Sequence, residues 1–345
     1  MPRGEKLSRR SPGVIDVAEL ELSELEAEFT ARNIPQFHAR QVFGWIWKRG
    51  ITDFQVMTDL SLALRTELSH HFTVTTPAIE NREVSEDGTQ KFVLRLHDGR
   101  RIESVYIPDT PAQTFCISTQ VGCAMGCAFC LTGKMGLVRH LTAGEIASQV
   151  RVLSHGLGLT EFNIVLMGMG EPLHNYDATM KALRIVNDSR GLGVGARRVT
   201  LSTVGLVPML DKLAHEPLMP NLAVSLHATT EDQRMAIVPT TKKYSVEEII
   251  AACRRFPLAK RSRITFEYVL LAGVNDSLID ARRLAKLLAG IKAKVNLIPL
   301  NAAPGIPFER PSDQQVDLFA RTLAERGIVV SVRKSRGRDI RAACG

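Results

Sequence analysis

Residues 114–130 read TFCISTQVGCAMGCAFC, and they join a strand pattern to a dense group of cysteines. The segment TFCIST is short and largely apolar, which is typical of a buried β-strand. The loop after it carries Cys123, Cys127 and Cys130 in the spacing Cys-x-x-x-Cys-x-x-Cys. Three thiolates on a tight loop can hold three irons of a 4Fe-4S cluster and leave the fourth iron open. This stretch therefore predicts a strand followed by a catalytic cluster loop.

Strand and helix patterns alternate from this stretch to the C-terminus. The strand-like segments that follow TFCIST are NIVLMG, RVTLST, NLAVSLH, ITFEYVL and KVNLIPL. Amphipathic segments lie between them, and a seventh strand-like segment, IVVSVR, follows a helical one around 314–326. About six βα units predict a parallel sheet with its working face at the carboxyl ends of the strands. The predicted fold class is α/β, a closed or partly closed (βα)6 barrel over residues 112–345.

Two other patterns precede the alternation. Residues 14–75 have a helical period, with apolar positions in the stretches 20–29, 42–46 and 60–68, and they predict an N-terminal helical module. Residues 76–111 have a period of two in IENREV, KFVLRLHDG and RRIESVYI, with turn signals at 86–88 and 97–99. They predict a short antiparallel β extension, and residues 1–13 are expected to form a basic tail.

Composition and charge limit the class of protein. The 345 residues are 45% hydrophobic and 23% charged, which is typical of a globular enzyme. No run of about 18 apolar residues occurs, so neither a membrane span nor a secretory signal is expected. The net charge of +8 is compatible with a polyanionic partner. Four of the six cysteines fall within residues 116–130, which indicates intracellular metal or redox chemistry and a cytoplasmic protein.

Polar residues and glycines follow the predicted strands where each strand ends. They are Gly170 and Glu171 after the second strand, Ser202 in the third, Ser225 and His227 in the fourth, and Asn301 after the sixth. Each of them alone could be an ordinary polar residue at a strand end. Because the carboxyl ends of parallel strands meet at one face, we expect these side chains to lie close together.

The cysteine spacing resembles that of the radical S-adenosylmethionine (SAM) superfamily. The segments MGMGEP at 167–172, RRVTLSTVG at 197–205, VSLHA at 224–228 and NLIPLN at 296–301 narrow the resemblance. They are similar to a bacterial family that methylates carbon 2 of an adenine in 23S rRNA and in tRNA. The resemblance runs from about residue 16 to the C-terminus. Val204 and Ala302 depart from the residues common in that family, and neither departure removes a reactive group.

The resemblance implies a role for each candidate residue. Cys123, Cys127 and Cys130 would hold the cluster, and two SAM molecules would be used in each turnover. Cys344 would take a methyl group from the first SAM, and a 5′-deoxyadenosyl radical from the second would remove a hydrogen atom from that methyl. Cys116 would resolve the protein–RNA adduct and end in a disulfide with Cys344, while Glu103 would accept a proton. The implied SAM contacts are Gly170, Glu171, Ser202, Ser225, Leu226, His227 and Asn301.

The same resemblance implies the partners. These are 23S rRNA and tRNA, recognised in part by the N-terminal module, and an electron donor such as flavodoxin. Candidate phosphate contacts are the basic tail, Lys48 with Arg49, the basic residues at 254–263, and the C-terminal run from Arg333 to Arg341. No membrane partner is expected. A monomer is expected because every hydrophobic face is used within the barrel.

Several alternatives stay open at the level of sequence. The enzyme could instead methylate carbon 8 of the same rRNA adenine, as a related antibiotic-resistance family does. The cysteine loop could hold a structural zinc with His140 as the fourth ligand, in a non-catalytic RNA-binding protein. Glu103 could be a solvated strand residue and Cys116 a buried strand cysteine. Cys253 is interpreted as a core residue, since free cysteines are commonly buried.

Overall fold

The computed structural model describes residues 13–108 and 112–342 of the chain. The predicted basic tail, apart from Gly13, and the candidate residue Cys344 lie outside these ranges. The helices are α1 (Leu22–Ala31), α2 (Gln36–Phe43), α3 (Leu62–His71), α4 (Leu131–Met135), α5 (Ala143–Leu157), α6 (Tyr176–Asn187), α7 (Val207–Leu213), α8 (Glu231–Ile237), α9 (Val246–Arg255), α10 (Leu278–Leu287) and α11 (Asp313–Ala324).

The strands in the described part of the chain fall into one large sheet and two small ones. They are β1 (Ile15–Asp16), β2 (Phe72–Thr73), β3 (Ala78–Val84), β4 (Gln90–Arg95), β5 (Arg101–Ile107), β6 (Thr114–Cys116), β7 (Gln120–Gly122), β8 (Leu137–His140), β9 (Asn163–Leu166), β10 (Val199–Thr203), β11 (Asn221–Ser225), β12 (Ile264–Leu270), β13 (Ala293–Pro299) and β14 (Val329–Val332). The large sheet has ten strands in the order β14-β13-β12-β11-β10-β9-β6-β5-β4-β3.

The order of this sheet confirms the predicted α/β fold class. All neighbours from β14 to β6 pair in parallel, and β6, β5, β4 and β3 pair antiparallel in turn. The predicted β extension is therefore continuous with the barrel, joined where Val105 pairs with Cys116. Because the order is linear, with β14 and β3 as edges, the barrel is only partly closed.

Local sequence explains where the barrel elements begin and lie. Thr142 at the start of α5, Ser245 at the start of α9 and Ser277 at the start of α10 each form a capping box with the acidic residue three positions later. All seven residues of β12 are buried, as expected of a continuous strand covered on both faces. Cys253 on α9 is 2% exposed, which confirms it as a core residue.

The N-terminal module contains more than helices. The short strands β1 and β2 pair in parallel, Ile15 with Phe72, and close the module at its two ends. The helix predicted around Val42 and Ile46 is α2 followed by a π-helical turn, Gly44–Lys48. Two-residue strands carry too little periodicity to be visible in the sequence.

The N-terminal module packs directly on the barrel. The carboxylate of Glu19 accepts hydrogen bonds from the Thr142 hydroxyl and from the Gly144 N–H at 2.9 Å, so it caps α5. The guanidinium of Arg151, also on α5, is buried and lies 5.0 Å from the centre of the Trp47 ring. None of the helices in residues 13–108 and 112–342 has the length and apolar content needed to cross a membrane.

Candidate active site

A cavity of about 280 Å³ lies at the carboxyl ends of the parallel strands. Most of the predicted site residues line it together, namely Glu103, Cys116, Cys123, Cys127, Cys130, Gly170, Glu171, Ser202, Ser225, His227 and Asn301. The side chain of Leu226 is fully buried and is not part of the lining. Arg341 and Ala342, which precede the undescribed Cys344, also line the cavity.

The cysteine loop is held by the small β7–β8 sheet on one side. Gly122 ends β7 with a φ of 78°, and an added Cβ there would collide with the carbonyl oxygen of Gly136. Cys123 donates its N–H to that same carbonyl at 2.9 Å. The Cys130 N–H donates to the Cys127 carbonyl at 3.1 Å, which closes the second half of the loop. Gly122 is therefore required for the close approach of the backbone at Gly122 and Cys123 to the backbone at Gly136.

The three thiols lie close enough to affect one another. Burial, together with the charges of Glu171 and Cys130, raises the pKa of Cys123 to about 11, although a hydrogen bond from the backbone of Met125 opposes the shift. Burial also raises the pKa of Cys127 well above its ordinary value, with contributions from Cys130 and Cys123, while Arg234 opposes the shift. Thiols of this kind, two of them buried and that of Cys130 half-buried, would ionise when a cationic centre binds them, which is how thiolates hold iron.

A single-metal site has less support. His140, the predicted fourth zinc ligand, is not part of the cavity lining. Its Nδ1 lies 2.9 Å from Gln120 Nε2, and its ring packs on His174 with the centroids 5.0 Å apart. These contacts argue against the structural zinc alternative.

Glu171 is a buried carboxylate whose oxygens accept hydrogen bonds from backbone N–H groups. It is 3% exposed, and it accepts N–H groups of Val204 at 2.8 Å and Leu173 at 3.0 Å. Burial raises its pKa to about 7, although these hydrogen bonds and one from Thr203 oppose the shift. A cationic ligand would restore the ionised form. Gly170 leads into this residue with a φ of 104°, and an added Cβ would lie 2.6 Å from Gln120 Cβ.

His227 has an unusual backbone and a defined tautomer. Its φ is 61°, in the left-handed region, and its carbonyl accepts from Asn275 Nδ2 at 2.6 Å. Nδ1 accepts the N–H of Val269 at 3.0 Å. Burial and, to a smaller extent, the charge of Arg234 lower the pKa of His227 to about 3. The ring is therefore neutral with its proton on Nε2, which makes it a hydrogen-bond donor for a ligand.

Glu103 and Cys116 lie on neighbouring antiparallel strands. Val105 pairs with Cys116, and Glu103 is two positions along β5, so its side chain is on the same face as that of Val105. The Glu103 carbonyl accepts the Ser118 hydroxyl at 2.6 Å, and its carboxylate lies 3.7 Å from Lys91 Nζ. Its side chain is 48% exposed, whereas Cys116 is 4% exposed. The two residues thus form one wall of the cavity at different depths.

Two buried charged residues escaped the sequence analysis. Arg234 is fully buried and donates to the carbonyls of Leu226 at 3.0 Å, Val204 at 2.6 Å and Ser225 at 3.2 Å. Its helix, EDQRMAI, is polar and gives no signal of burial. Glu267 lines the cavity and accepts from Asn296 Nδ2 at 2.7 Å. Its place inside the apolar run ITFEYVL is a signal that could have indicated a functional carboxylate.

Known proteins similar to this chain cover almost all of it. The dual-specificity RNA methyltransferase RlmN of Geobacter sulfurreducens is 47% identical over 332 residues, which cover 96% of this chain and 91% of that protein. The corresponding protein of Syntrophotalea carbinolica is 49% identical over 333 residues, with 96% and 89% covered. The chain belongs to the RlmN family.

Domain models and a crystal structure agree with membership of the RlmN family. Residues 117–285 match the Radical SAM superfamily, and residues 15–74 match the ribosomal RNA large subunit methyltransferase N-terminal domain. A radical SAM methyltransferase from Sphaerobacter thermophilus has the same fold, with a TM-score of 0.91, 46% identity, and 96% and 98% of the two chains covered. As a member of the RlmN family, the chain is a SAM-dependent RNA methyltransferase.

The radical SAM superfamily implies a 4Fe-4S cluster and SAM, and the residues of the cavity fit both. The donor set for the cluster is the three coupled thiols of the loop at 123–130. Glu171, with its oxygens held by backbone N–H groups and its pKa raised by burial, fits the ammonium group of SAM. The backbone before it approaches Gln120 too closely to admit any side chain at position 170.

Proposed function

We propose that this chain methylates carbon 2 of an adenine in 23S rRNA and of an adenine in tRNA, with Cys344 as the methyl carrier and two SAM molecules in each turnover. One observation carries the proposal. Glu103, Cys116 and the tail residue Ala342 line the same cavity as the cysteine loop and Glu171. The residues expected to handle the methyl group are therefore next to those expected to bind SAM.

The chemistry of the target atom explains why the site needs residues that handle the methyl group as well as residues that bind the cluster and SAM. Carbon 2 of adenine is flanked by two ring nitrogens and is not nucleophilic, so it cannot take a methyl cation directly from SAM. A bound cluster supplies the electron for the reductive cleavage of SAM. The chain supplies the thiol that receives a methyl group first and the groups that release it onto the base.

Each step assigned to the chain uses a residue at or beside the cavity. The Cys344 sulfur forms a bond to the methyl carbon as the methyl–sulfonium bond of SAM breaks, which leaves S-adenosylhomocysteine. The methyl carbon, from which a 5′-deoxyadenosyl radical has removed a hydrogen atom, forms a bond to carbon 2. Glu103 accepts the proton that carbon 2 loses, and the one electron that the adduct loses would return to the bound cluster. The Cys116 thiolate then attacks the Cys344 sulfur, the bond from that sulfur to the transferred carbon breaks, that carbon takes up a proton to become a methyl group, and a disulfide forms. An external thiol reductant returns the disulfide to two thiols.

The remaining polar residues of the cavity are assigned to SAM. The carboxylate of Glu171 accepts hydrogen bonds from the ammonium group. The hydroxyls of Ser202 and Ser225 lie 3.4 Å apart and offer a pair of groups for the polar parts of SAM. His227 donates from Nε2, and Asn301 completes this part of the lining.

RNA is recognised at least partly by the N-terminal module. The exposed guanidinium of Arg49 lies 4.0 Å from the centre of the Trp45 ring, which gives a cation and an aromatic ring at one surface position. Arg255, by contrast, pairs with Asp211 at 2.7 Å and is a weaker candidate for phosphate contact. An electron donor such as flavodoxin and a monomeric state are part of the same proposal.

The test is an anaerobic assay with reconstituted cluster, reductant, SAM and unmodified RNA, either a 23S rRNA fragment or tRNA, with nucleosides identified by mass spectrometry. We expect 2-methyladenosine, 5′-deoxyadenosine and S-adenosylhomocysteine. Cys344→Ala should abolish 2-methyladenosine, whereas Cys253→Ala, at a core cysteine outside the cavity, should retain it. Formation of 8-methyladenosine would contradict the carbon-2 assignment, and SAM cleavage without any methylated base would contradict the RNA substrates.

A further inference from the structure

The turn between β3 and β4, residues 85–89, is closed by its own hydrogen bonds. The Ser85 N–H donates to the Thr89 carbonyl at 2.8 Å, and the Gly88 N–H donates to the Ser85 carbonyl at 3.0 Å. Asp87 accepts the Thr89 N–H with Oδ1 at 2.9 Å. Ser85 and Thr89 are buried although they belong to a hairpin turn. Something therefore covers the turn.

The covering segment is the C-terminal segment Gly337–Ala342. Asp87 uses its second oxygen, Oδ2, to accept the Gly337 N–H at 3.0 Å. In return Asp339 accepts the Ser85 hydroxyl at 2.5 Å and the Glu86 N–H at 3.3 Å. Burial raises the pKa of Asp87, but hydrogen bonds from Thr89, Gly337 and Ser85 outweigh it and lower the pKa to about 2. Each element thus contributes an ionised aspartate to the other.

The C-terminal segment is itself folded into a compact turn. The Ala342 N–H donates to the Gly337 carbonyl at 2.8 Å, and the Arg341 N–H donates to the Arg338 carbonyl at 3.2 Å. Gly337 has a φ of 61°, and an added Cβ would lie 2.8 Å from Ala342 Cβ and 3.0 Å from Thr89 Cγ2. The glycine is required both by the backbone conformation and by the contact with the hairpin.

This contact determines where the chain enters the cavity. Arg341 and Ala342 line the cavity, and Cys344 follows Ala342 by two residues. Two residues of extended chain span about 7 Å at most. We propose that the turn Ser85–Thr89 is a docking site for the C-terminal segment, and that Ser85, Asp87 and Asp339 are positioning residues that hold Cys344 within reach of the cavity. This inference rests on the proposed role of Cys344.

The neighbouring hairpin provides a matched control. The β4–β5 turn has the same Asp-Gly pair, and Asp98 accepts the Arg100 N–H with Oδ1 at 3.1 Å, as Asp87 accepts that of Thr89. Its other oxygen accepts from Arg139 Nε at 2.7 Å and makes no contact with the C-terminal segment among the described residues. Asp98→Asn therefore removes a turn aspartate without touching the docking site.

The first measurement is hydrogen exchange of the amides of residues 337–342 in the full-length protein, without cluster or SAM. Ser85→Ala and Asp339→Asn each remove a hydrogen bond between the turn Ser85–Thr89 and the C-terminal segment. Each change should speed exchange of these amides about three- to tenfold. Asp98→Asn should leave it unchanged, and Ser85→Thr, which keeps the hydroxyl, should restore protection. Equal exchange in the wild type and Asp339→Asn would overturn the docking site.

The second measurement separates positioning from overall folding. In the reconstituted enzyme, mass spectrometry gives the fraction of Cys344 that carries a methyl group, and chromatography gives 5′-deoxyadenosine formed without RNA. We expect Asp339→Asn to lower methylation of Cys344 several-fold while SAM cleavage persists at the wild-type rate. Normal methylation despite rapid exchange would overturn the positioning role. If the wild type itself never carries methyl on Cys344, the proposed function fails, and the exchange data still decide whether the turn docks the segment.

Discussion

The backbone N–H of Val204 donates a hydrogen bond to Glu171 Oε2 at 2.8 Å. The carbonyl oxygen of Val204 accepts from Arg234 Nη2 at 2.6 Å. The segment after β10 is therefore fixed by a buried guanidinium on one side and orients a buried carboxylate on the other. The position of Glu171 in the cavity depends on a residue that does not line it.

Replacing Arg234 should destabilise the fold strongly. Arg234→Met removes the hydrogen bonds to the carbonyls of Val204, Ser225 and Leu226 and leaves these groups buried. We expect the free energy of unfolding to fall by about 2–4 kcal/mol, measured by urea titration. Arg282→Met, at an exposed position of α10, is the control and should change little. Equal stability of the two variants would contradict a structural role for Arg234.

The raised pKa of Glu171 should make stability fall as the pH rises. Below about pH 4.5 the carboxyl is protonated in both the folded and the unfolded states, whereas between about pH 4.5 and pH 7 mainly the folded protein retains the proton. Stability present at low pH is therefore lost as the pH rises through about 7, by about 3 kcal/mol in total. Urea titrations of the protein without SAM or cluster at pH 5 and pH 8 measure it. Glu171→Gln should lack this contribution to the difference in unfolding free energy between pH 5 and pH 8. The same pH dependence in Glu171→Gln as in the wild type would refute the prediction.

The lowered pKa of His227 should have the opposite effect. The unfolded chain binds a proton near pH 6.5, but the buried ring stays neutral until about pH 3. Its contribution to stability is complete above pH 6.5 and is lost by about 1.4 kcal/mol for each pH unit below that. The difference between wild type and His227→Asn at pH 7.5, 6.5 and 5.5 isolates it, since asparagine tolerates the left-handed backbone. A difference between wild type and variant that stays constant over these pH values would contradict the lowered pKa of His227.

Gly168 should not tolerate a side chain. An added Cβ would lie 2.8 Å from the carbonyl carbon and oxygen of Ile117. These are backbone atoms of the neighbouring segment, so they cannot rotate away as a flexible side chain could. Gly168→Ala should cost about 1–3 kcal/mol of unfolding free energy. Gly156→Ala, in open space on α5, should instead stabilise by about 0.5–1 kcal/mol. Urea titrations measure the unfolding free energy of both variants. A Gly168→Ala variant as stable as the wild type would contradict the prediction, because it would show that the backbone segments at Gly168 and Ile117 can move apart.

The order of strands and helices in the barrel could be predicted because apolar runs and amphipathic periods are local properties. The continuity of the sheet could not, because the pairing of Val105 with Cys116 joins residues from two different patterns. The pair of two-residue strands that closes the N-terminal module was also beyond prediction. Its register depends on contacts between Ile15 and Phe72, more than fifty positions apart.

The site was predicted best where residues are defined by strand ends and spacing. Ser202, Ser225, His227 and Asn301 all line the cavity, as their places at or just after the carboxyl ends of the strands indicated. Arg234 was missed because burial of a charge depends on carbonyl groups that two separate segments bring to it, Val204 from one and Ser225 with Leu226 from the other. The direction of Glu103 was equally hidden, since alternation along β5 does not say which face is covered.

The continuous ten-stranded sheet from β14 to β3 has a consequence for the effect of substitutions in this enzyme. The segment that matches the Radical SAM superfamily, 117–285, holds the cysteine loop and Glu171, while Glu103, Cys116 and the C-terminal segment lie outside it. One continuous sheet spans the boundary between them. Substitutions in the flanking segments therefore alter the residues proposed to handle the methyl group and leave the cysteine loop and Glu171 unchanged.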